Sequence, residues 1–156
     1  MPIEPAIIQK PAFTVVGMAI STRALSGEIP ALWGSFGPRI DEVADMAEPQ
    51  VSYGIMENFD ASQGTLDYMA AVSVTSTENA PLGMVTRTIA AQTYAVFQAR
   101  LHGLGEAFGD IFNQWLPNAP YEQLAAPYFE RYDESFDPGN AESVVEIYIP
   151  VKPRNA

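Results

Sequence analysis

The 156 residues fit one domain spanning 1–156, and a domain of that size buries roughly 70% of its unfolded surface. Nineteen acidic residues against eight basic ones leave a formal charge of −11, a field that repels phosphate backbones and argues against nucleic acid as a direct partner. The absence of cysteine excludes disulfide scaffolds and cysteine-based metal or nucleophile chemistry, and no apolar run approaches the ~20 residues of a membrane span.

Along the chain, Ala6 to Ile20 is apolar and β-branched, with Pro11 interrupting it, and reads as an interrupted or edge strand. In "IPALWGSF" and beyond, Ile29, Leu32, Trp33, Phe36, Ile40 and Val43 recur on one helical face. Pro30 suits the first turn, and Gly37-Pro38 bends or splits the helix. "VSYGIME" and "TLDYMAAVSV" read as a hairpin around "NFDASQG", and "TENAPLG" as a loop. "IAAQTYAVFQAR" has strand character. A second helix opens at Gly103, carries the stripe Leu104, Ala107, Phe108, Ile111, Phe112, Trp115 and Leu116, and stops at Pro117. "NAPYEQLAA" reads as irregular, "PYFERYDE" and "SVVEIYIPV" as strands, and "KPRNA" as a frayed tail.

The order strand, helix, strand, strand thus occurs twice. Ile29, Trp33 and Phe36 align with Leu104, Phe108 and Ile111, and Tyr53, Gly54 and Met56 align with Phe129, Glu130 and Tyr132. The expected fold is α+β: a duplicated βαββ unit with pseudo-twofold symmetry and a largely antiparallel sheet. Two helices cover one face, and a ligand groove lies on the other.

Strand parity then assigns faces. Val145, Ile147, Ile149 and Val151 form a wholly apolar face directed at the helices, while Glu146 and Tyr148 face away. In "PYFERYDE", Phe129 matches Tyr53 and is read as core, which puts Tyr128, Glu130 and Tyr132 on the groove side. The repeat partner of Glu130 is Gly54, so a carboxylate in one half stands opposite an empty position in the other. Arg131 falls on the expected core face, an awkward place for a guanidinium. A carboxylate in an aromatic cavity is held back from ionising by desolvation, and an entering cation restores the lost electrostatic stabilisation.

The series "FTVVGM", "IPALWGSF", "YGIME", "DYMAAVSV", "YAVFQARLHG", "FNQWLP", "PYFERYD" and "VEIYIPV" covers almost the whole chain. It resembles the effector-binding domain family shared by the gyrase-inhibitory protein GyrI and the C-terminal halves of some AraC-type and MerR-type multidrug regulators. It is similar, too, to the standalone drug-binding proteins of that family found in integron cassettes. The resemblance implies a groove for cationic aromatic compounds, with a central glutamate that corresponds to Glu130. The walls nominated are Trp33, Tyr53, Met56, Tyr68, Met69, Tyr94, Phe108 and Tyr148, several of which also serve the expected core. No helix-turn-helix precedes the first strand in this sequence, so the resemblance is to a sensor without its DNA-binding half.

The expectation is a cytoplasmic, cofactor-free protein, since the N-terminus reads as no secretory signal. It captures lipophilic cationic small molecules and possesses, in one version, a separate regulator as partner. The alternatives are a small hydrolase using Glu130 with Tyr94 or Tyr148 as acid–base pair, and a protein-interaction module of the gyrase-inhibitor kind. His102, the only histidine, reads as a solvent-exposed turn residue, and "GLGEAFG" lacks the lysine of a phosphate loop.

Overall fold

Pro11 divides the first apolar stretch into two strands that part company. In the computed structural model, which describes residues 4–23 and 26–154, β1 (Ala6–Lys10) pairs with β6 (Gln92–Arg100). The next strand, β2 (Phe13–Arg23), instead pairs with β4 (Thr65–Val74) and β5 (Val85–Ile89). With β3 (Ser52–Asp60), β8 (Tyr128–Tyr132) and β9 (Val144–Pro153), these strands form one antiparallel sheet in the order β1-β6-β9-β8-β3-β4-β2-β5. A short strand β7 (Tyr121–Gln123) pairs with β9. The sheet and its two helical segments are those of the expected α+β fold.

Two strands escaped the reading of the sequence. The β5 segment "VTRTI" holds only two large apolar residues, and its side chains are largely exposed at the sheet edge. β7 lies between Pro120 and Leu124 in a stretch rich in small residues. The tail expected at 152–156 is partly ordered. Lys152 and Pro153 continue β9, and Arg154 donates to the carbonyls of Ala119 (2.9 Å) and Leu116 (2.8 Å); Asn155 and Ala156 lie outside the described residues.

The duplication is visible in the sheet order. β3-β4-β2 of the first half mirrors β8-β9-β6 of the second, and β5 and β1 are exchanged, each completing the other half's outer strand. At the seam, β3 and β8 pair with Tyr53 opposite Arg131, Gly54 opposite Glu130 and Ile55 opposite Phe129. Gly54 and Glu130 are equivalent positions of the two halves and also direct partners, so the pseudo-twofold axis passes between them.

The sheet is strongly curled, for a reason the connections make plain. β1 and β2 stand six places apart in the strand order, about 29 Å in a flat sheet. Only Pro11 and Ala12 join them, a link of roughly 11 Å at most. The two-residue link from β5 to β6 imposes the same constraint at the other end. Curling brings residues of both outer regions together on the concave face, where Val15, Ile89, Tyr94, Val96, Tyr53, Phe129 and Tyr148 form one buried cluster.

Both helices lie on the opposite, convex face. α1 (Glu28–Phe36) buries Leu32 and Phe36 against Val16, Met56, Tyr68, Ala70 and Val72, then tightens into a narrow turn over Gly37–Glu42, where the glycine–proline pair was expected to break it. α2 (Leu104–Asp110) widens into a π-turn at Ile111–Trp115 and closes at Leu116–Asn118, just past Pro117. It packs Ile111, Phe108, Phe112 and Trp115 against Ala95, Phe97, Ile147, Ile149 and Val151. Each helix has one apolar stripe, and each spends it on its own half of the sheet.

Candidate functional site

Alternation along β8 sends Tyr128, Glu130 and Tyr132 to one face, and the register fixes which. Glu130 stands opposite Ile147 and Gly54, while Phe129 and Arg131 stand opposite Tyr148 and Glu146. Ile147 faces α2, so Glu130 lies on the helix-covered face. This corrects the expectation that placed it on the face away from the helices. That expectation took Phe129 and Tyr53 to be helix-side core, whereas they belong to the separate core on the concave face.

Glu130 is 6% exposed, on the floor between the two helical segments. Tyr132 donates to Glu130 Oε1 at 2.6 Å, and Tyr68 donates to the same oxygen at 3.3 Å. The Tyr68 oxygen in turn accepts the Trp33 indole N–H at 2.8 Å, which ties α1 to the carboxylate. Trp33 meets Tyr132 edge-on, with ring centroids 5.6 Å apart, and Tyr132 meets Phe136 at 4.7 Å. On the α2 side, Tyr128 packs edge-on against Phe108 and Phe112. Tyr68 and Met56 are buried, whereas Trp33, Phe108, Phe112, Tyr128 and Tyr132 are half-buried and form a rim of accessible aromatic surface.

Gly54 makes the floor possible. A Cβ there would lie 2.3 Å from the Tyr68 hydroxyl oxygen and 2.8 Å from Glu130 Oε1. The space that a side chain would fill is therefore occupied by the phenol that reaches the carboxylate. Desolvation pushes the Glu130 carboxyl up to about 7, and the two phenol hydrogen bonds pull only partly against it. Burial and the neighbouring carboxylate likewise hold the Tyr68 and Tyr132 phenols well above their ordinary value, so both remain protonated donors.

Of the nominated walls, the structure gathers Tyr68, Trp33, Met56 and Phe108 on the face of Glu130. Tyr53, Met69, Tyr94 and Tyr148 it places on the concave side. Tyr132, Tyr128 and Phe112 were missing from the nominated walls. Tyr132 and Tyr128 share the parity of Glu130 in "PYFERYDE", which was signal enough to find them. Two surface hollows, about 580 Å³ beside Gln9, Lys10 and Gln92 and about 230 Å³ between Phe97 and Ala107, lie away from Glu130.

The concave side has its own polar chemistry. Arg131 bridges Glu146 (2.9 Å) and Glu48 (3.1 Å), and Glu48 also accepts from Tyr53 (2.7 Å) and Ser73 (2.8 Å). This network explains how a guanidinium is tolerated there. Tyr94 is packed between Phe129 and Tyr148, with its hydroxyl fully buried and without a partner among the described residues. Burial pushes that phenol up to about 12. An unsatisfied buried hydroxyl costs ~1–3 kcal/mol. Tyr94→Phe is therefore expected to raise the unfolding free energy by about 1 kcal/mol, read as a higher urea midpoint, and a lower midpoint would reveal a partner for the hydroxyl.

His102 is exposed and lies 3.3 Å from Glu142. Among the described residues no group of three or more His, Asp or Glu is placed to hold a metal ion, and no helix is long and apolar enough to cross a membrane.

Comparison with known proteins identifies the family and the fold. The GyrI-like small molecule binding domain family matches residues 3–152. The transcriptional regulator BrlR of Pseudomonas aeruginosa is 36% identical over 148 residues, which cover 93% of this chain and 54% of that protein. The chain thus spans about half the length of the curated relative it matches. The structure of SAV2435 bound to tetraphenylphosphonium superposes with a TM-score of 0.76 at 19% identity, covering 96% of this chain and 94% of that one. A Listeria innocua structure described as a hydrolase superposes with a TM-score of 0.61 at 12% identity, covering 97% and 93%. These two structural likenesses establish the shared fold.

Proposed function

Since this chain belongs to the GyrI-like small molecule binding domain family, we propose that it captures lipophilic cations between α1 and α2, with Glu130 as the charged anchor. The observation that carries this reading is the burial of a carboxyl group among aromatic rings, with only phenols to hydrogen-bond it and no cationic partner among the described residues. The described salt bridges use Arg39, Arg87, Arg100, His102, Arg131 and Lys152, and none of them reaches Glu130. A carboxylate buried without a countercharge is costly, and an aromatic cation relieves that cost twice. It neutralises the charge at close range, and its contacts with ring faces contribute about 0.5–2 kcal/mol each.

The bound cation in SAV2435, a protein of the same fold, supports this choice of ligand class. Similarity to about half of a transcriptional regulator supports a sensory use, in which ligand occupancy is read by a DNA-binding partner or segment. The acidic surface supplies no phosphate-binding stripe for direct contact with DNA.

Thermal unfolding tests the proposal through mass action. Tetraphenylphosphonium is expected to raise the melting temperature in a concentration-dependent way, and neutral or anionic aromatics of similar size are not. Equal stabilisation by a neutral aromatic would overturn the electrostatic anchor.

One observation favours a second reading. The short Tyr132–Glu130 hydrogen bond joins a proton donor to a carboxyl poised near neutrality, which is the equipment of acid–base hydrolysis. Ester and epoxide probes recovered unchanged from a stoichiometric complex support capture alone, and their conversion would establish turnover.

A further inference from the structure

Both phenol protons that reach Glu130 end on the same oxygen. Tyr132 and Tyr68 each have one hydroxyl proton, and both are given to Oε1. The Trp33 N–H, the other donor of this cluster, is used by the Tyr68 oxygen. No described residue donates to Oε2. The Tyr94 hydroxyl is nevertheless the one fully enclosed, unpartnered side-chain polar atom among the described residues. Oε2 therefore keeps a narrow opening to the surface, although the residue as a whole is 6% exposed.

The two oxygens are thus unequal. Oε1 is saturated and turned into the sheet, held against Gly54 and Tyr68. Oε2 is the oxygen that an incoming group meets first, and its hydrogen-bonding capacity is unspent. Water reaching it through so small an opening replaces little of the solvation lost on folding.

Resting on the capture of cations proposed above, we propose that Oε2 makes the site selective for cations that carry an N–H donor. Protonated amines and amidines are preferred over donor-free onium ions of matched size. An N–H group directed at Oε2 brings the positive charge to within hydrogen-bond distance and supplies the missing bond. Such charge-assisted hydrogen bonds are about twice as strong as neutral ones. A quaternary ammonium or phosphonium ion neutralises the carboxylate from farther away, because its charge is sheathed in carbon, and it leaves Oε2 without a donor. Donor-free cations still bind, through charge and ring contacts, but more weakly.

The test compares three probes by calorimetric titration at pH 8: a naphthalene bearing a dimethylaminoalkyl chain that stays protonated, its N-methylated quaternary derivative, and the corresponding uncharged alkyl naphthalene. The protonated amine is expected to bind at least tenfold more tightly than the quaternary ion, and the quaternary ion more tightly than the uncharged compound. On Glu130→Gln the amine-over-quaternary preference is expected to collapse to within about twofold, since the charge that assists the bond is gone. Equal affinities for the two cations on the parent protein, or an undiminished preference on Glu130→Gln, would overturn the selectivity while leaving cation capture standing. Failure of both cations to outbind the uncharged probe would overturn capture itself, and the selectivity with it.

Discussion

Glu130→Gln is expected to make the protein more stable at pH 8 and no more stable at pH 4.5. The sign follows from linkage. Folding raises the Glu130 carboxyl from its ordinary value of 4.5 to about 7, so the folded state binds this proton more tightly than the unfolded state does. The group opposes folding least when protonated in both states, below about 4.5. The penalty grows as pH rises from there through 7, and it is constant above that. At 1.36 kcal/mol per unit, the full effect is on the order of 3 kcal/mol. Glutamine keeps an oxygen to accept from Tyr132 and Tyr68 but never ionises, so it escapes the penalty. For a domain of this size each kcal/mol is worth roughly 2–4 °C. Melting temperatures of parent and variant are therefore expected to coincide near pH 4.5 and to separate by several degrees at pH 8. Comparing the two proteins at each pH removes the general repulsion of a chain with a charge of −11. Parallel curves across the whole range would show that the buried carboxyl is not strained. The same substitution is expected to weaken binding of tetraphenylphosphonium by tenfold or more, a loss of at least ~1.4 kcal/mol. A residue that costs stability and supports binding is a mark of a site kept for function.

Gly54→Ala is expected to cost stability as well as binding. The added carbon would sit 2.3 Å from the Tyr68 oxygen and 2.8 Å from Glu130 Oε1, well inside contact distance. Tyr68 is 2% exposed and tied to Trp33, so it yields only by breaking that bond and moving within a packed cluster. Overpacking of this kind costs about 1–3 kcal/mol. The variant is expected to have a lower denaturation midpoint, altered tryptophan emission from the freed Trp33, and weakened cation binding. Emission, stability and affinity all equal to the parent's would mean that Tyr68 is not held against Gly54 as described.

How far the sequence discloses this arrangement depends on the signal used. Helical periodicity located both helices, and Gly37-Pro38 marked the change within the first, because those signals depend on neighbours a few residues away. The duplicated order survived two unrecognised strands, since β5 and β7 are additions to the repeated βαββ core. Parity showed correctly that Tyr128, Glu130 and Tyr132 share a face, but parity alone cannot say which face. Apolar residues do not by themselves mean proximity to helices. Here the curled sheet seals its concave side with a second core, so Phe129 and Tyr53 are deeply buried with no helix above them. A corrective clue was present in Arg131. Glu146 faces away from the helices by its alternation with Ile147, and the need of Arg131 for an acidic partner puts Arg131 on that side and Glu130 on the other. The exchange of β1 and β5 between halves was beyond reach, because it depends on pairings far apart in the chain.

If the buried Glu130 carboxyl is the anchor for a cation, as proposed, carbon-detected NMR of its carboxyl resonance measures that directly. With the signal assigned by comparison to Glu130→Gln, the titration midpoint of the free protein is expected near 7, and saturating tetraphenylphosphonium is expected to move it to lower pH. A midpoint in the ordinary glutamate range, unmoved by the cation, would contradict the account.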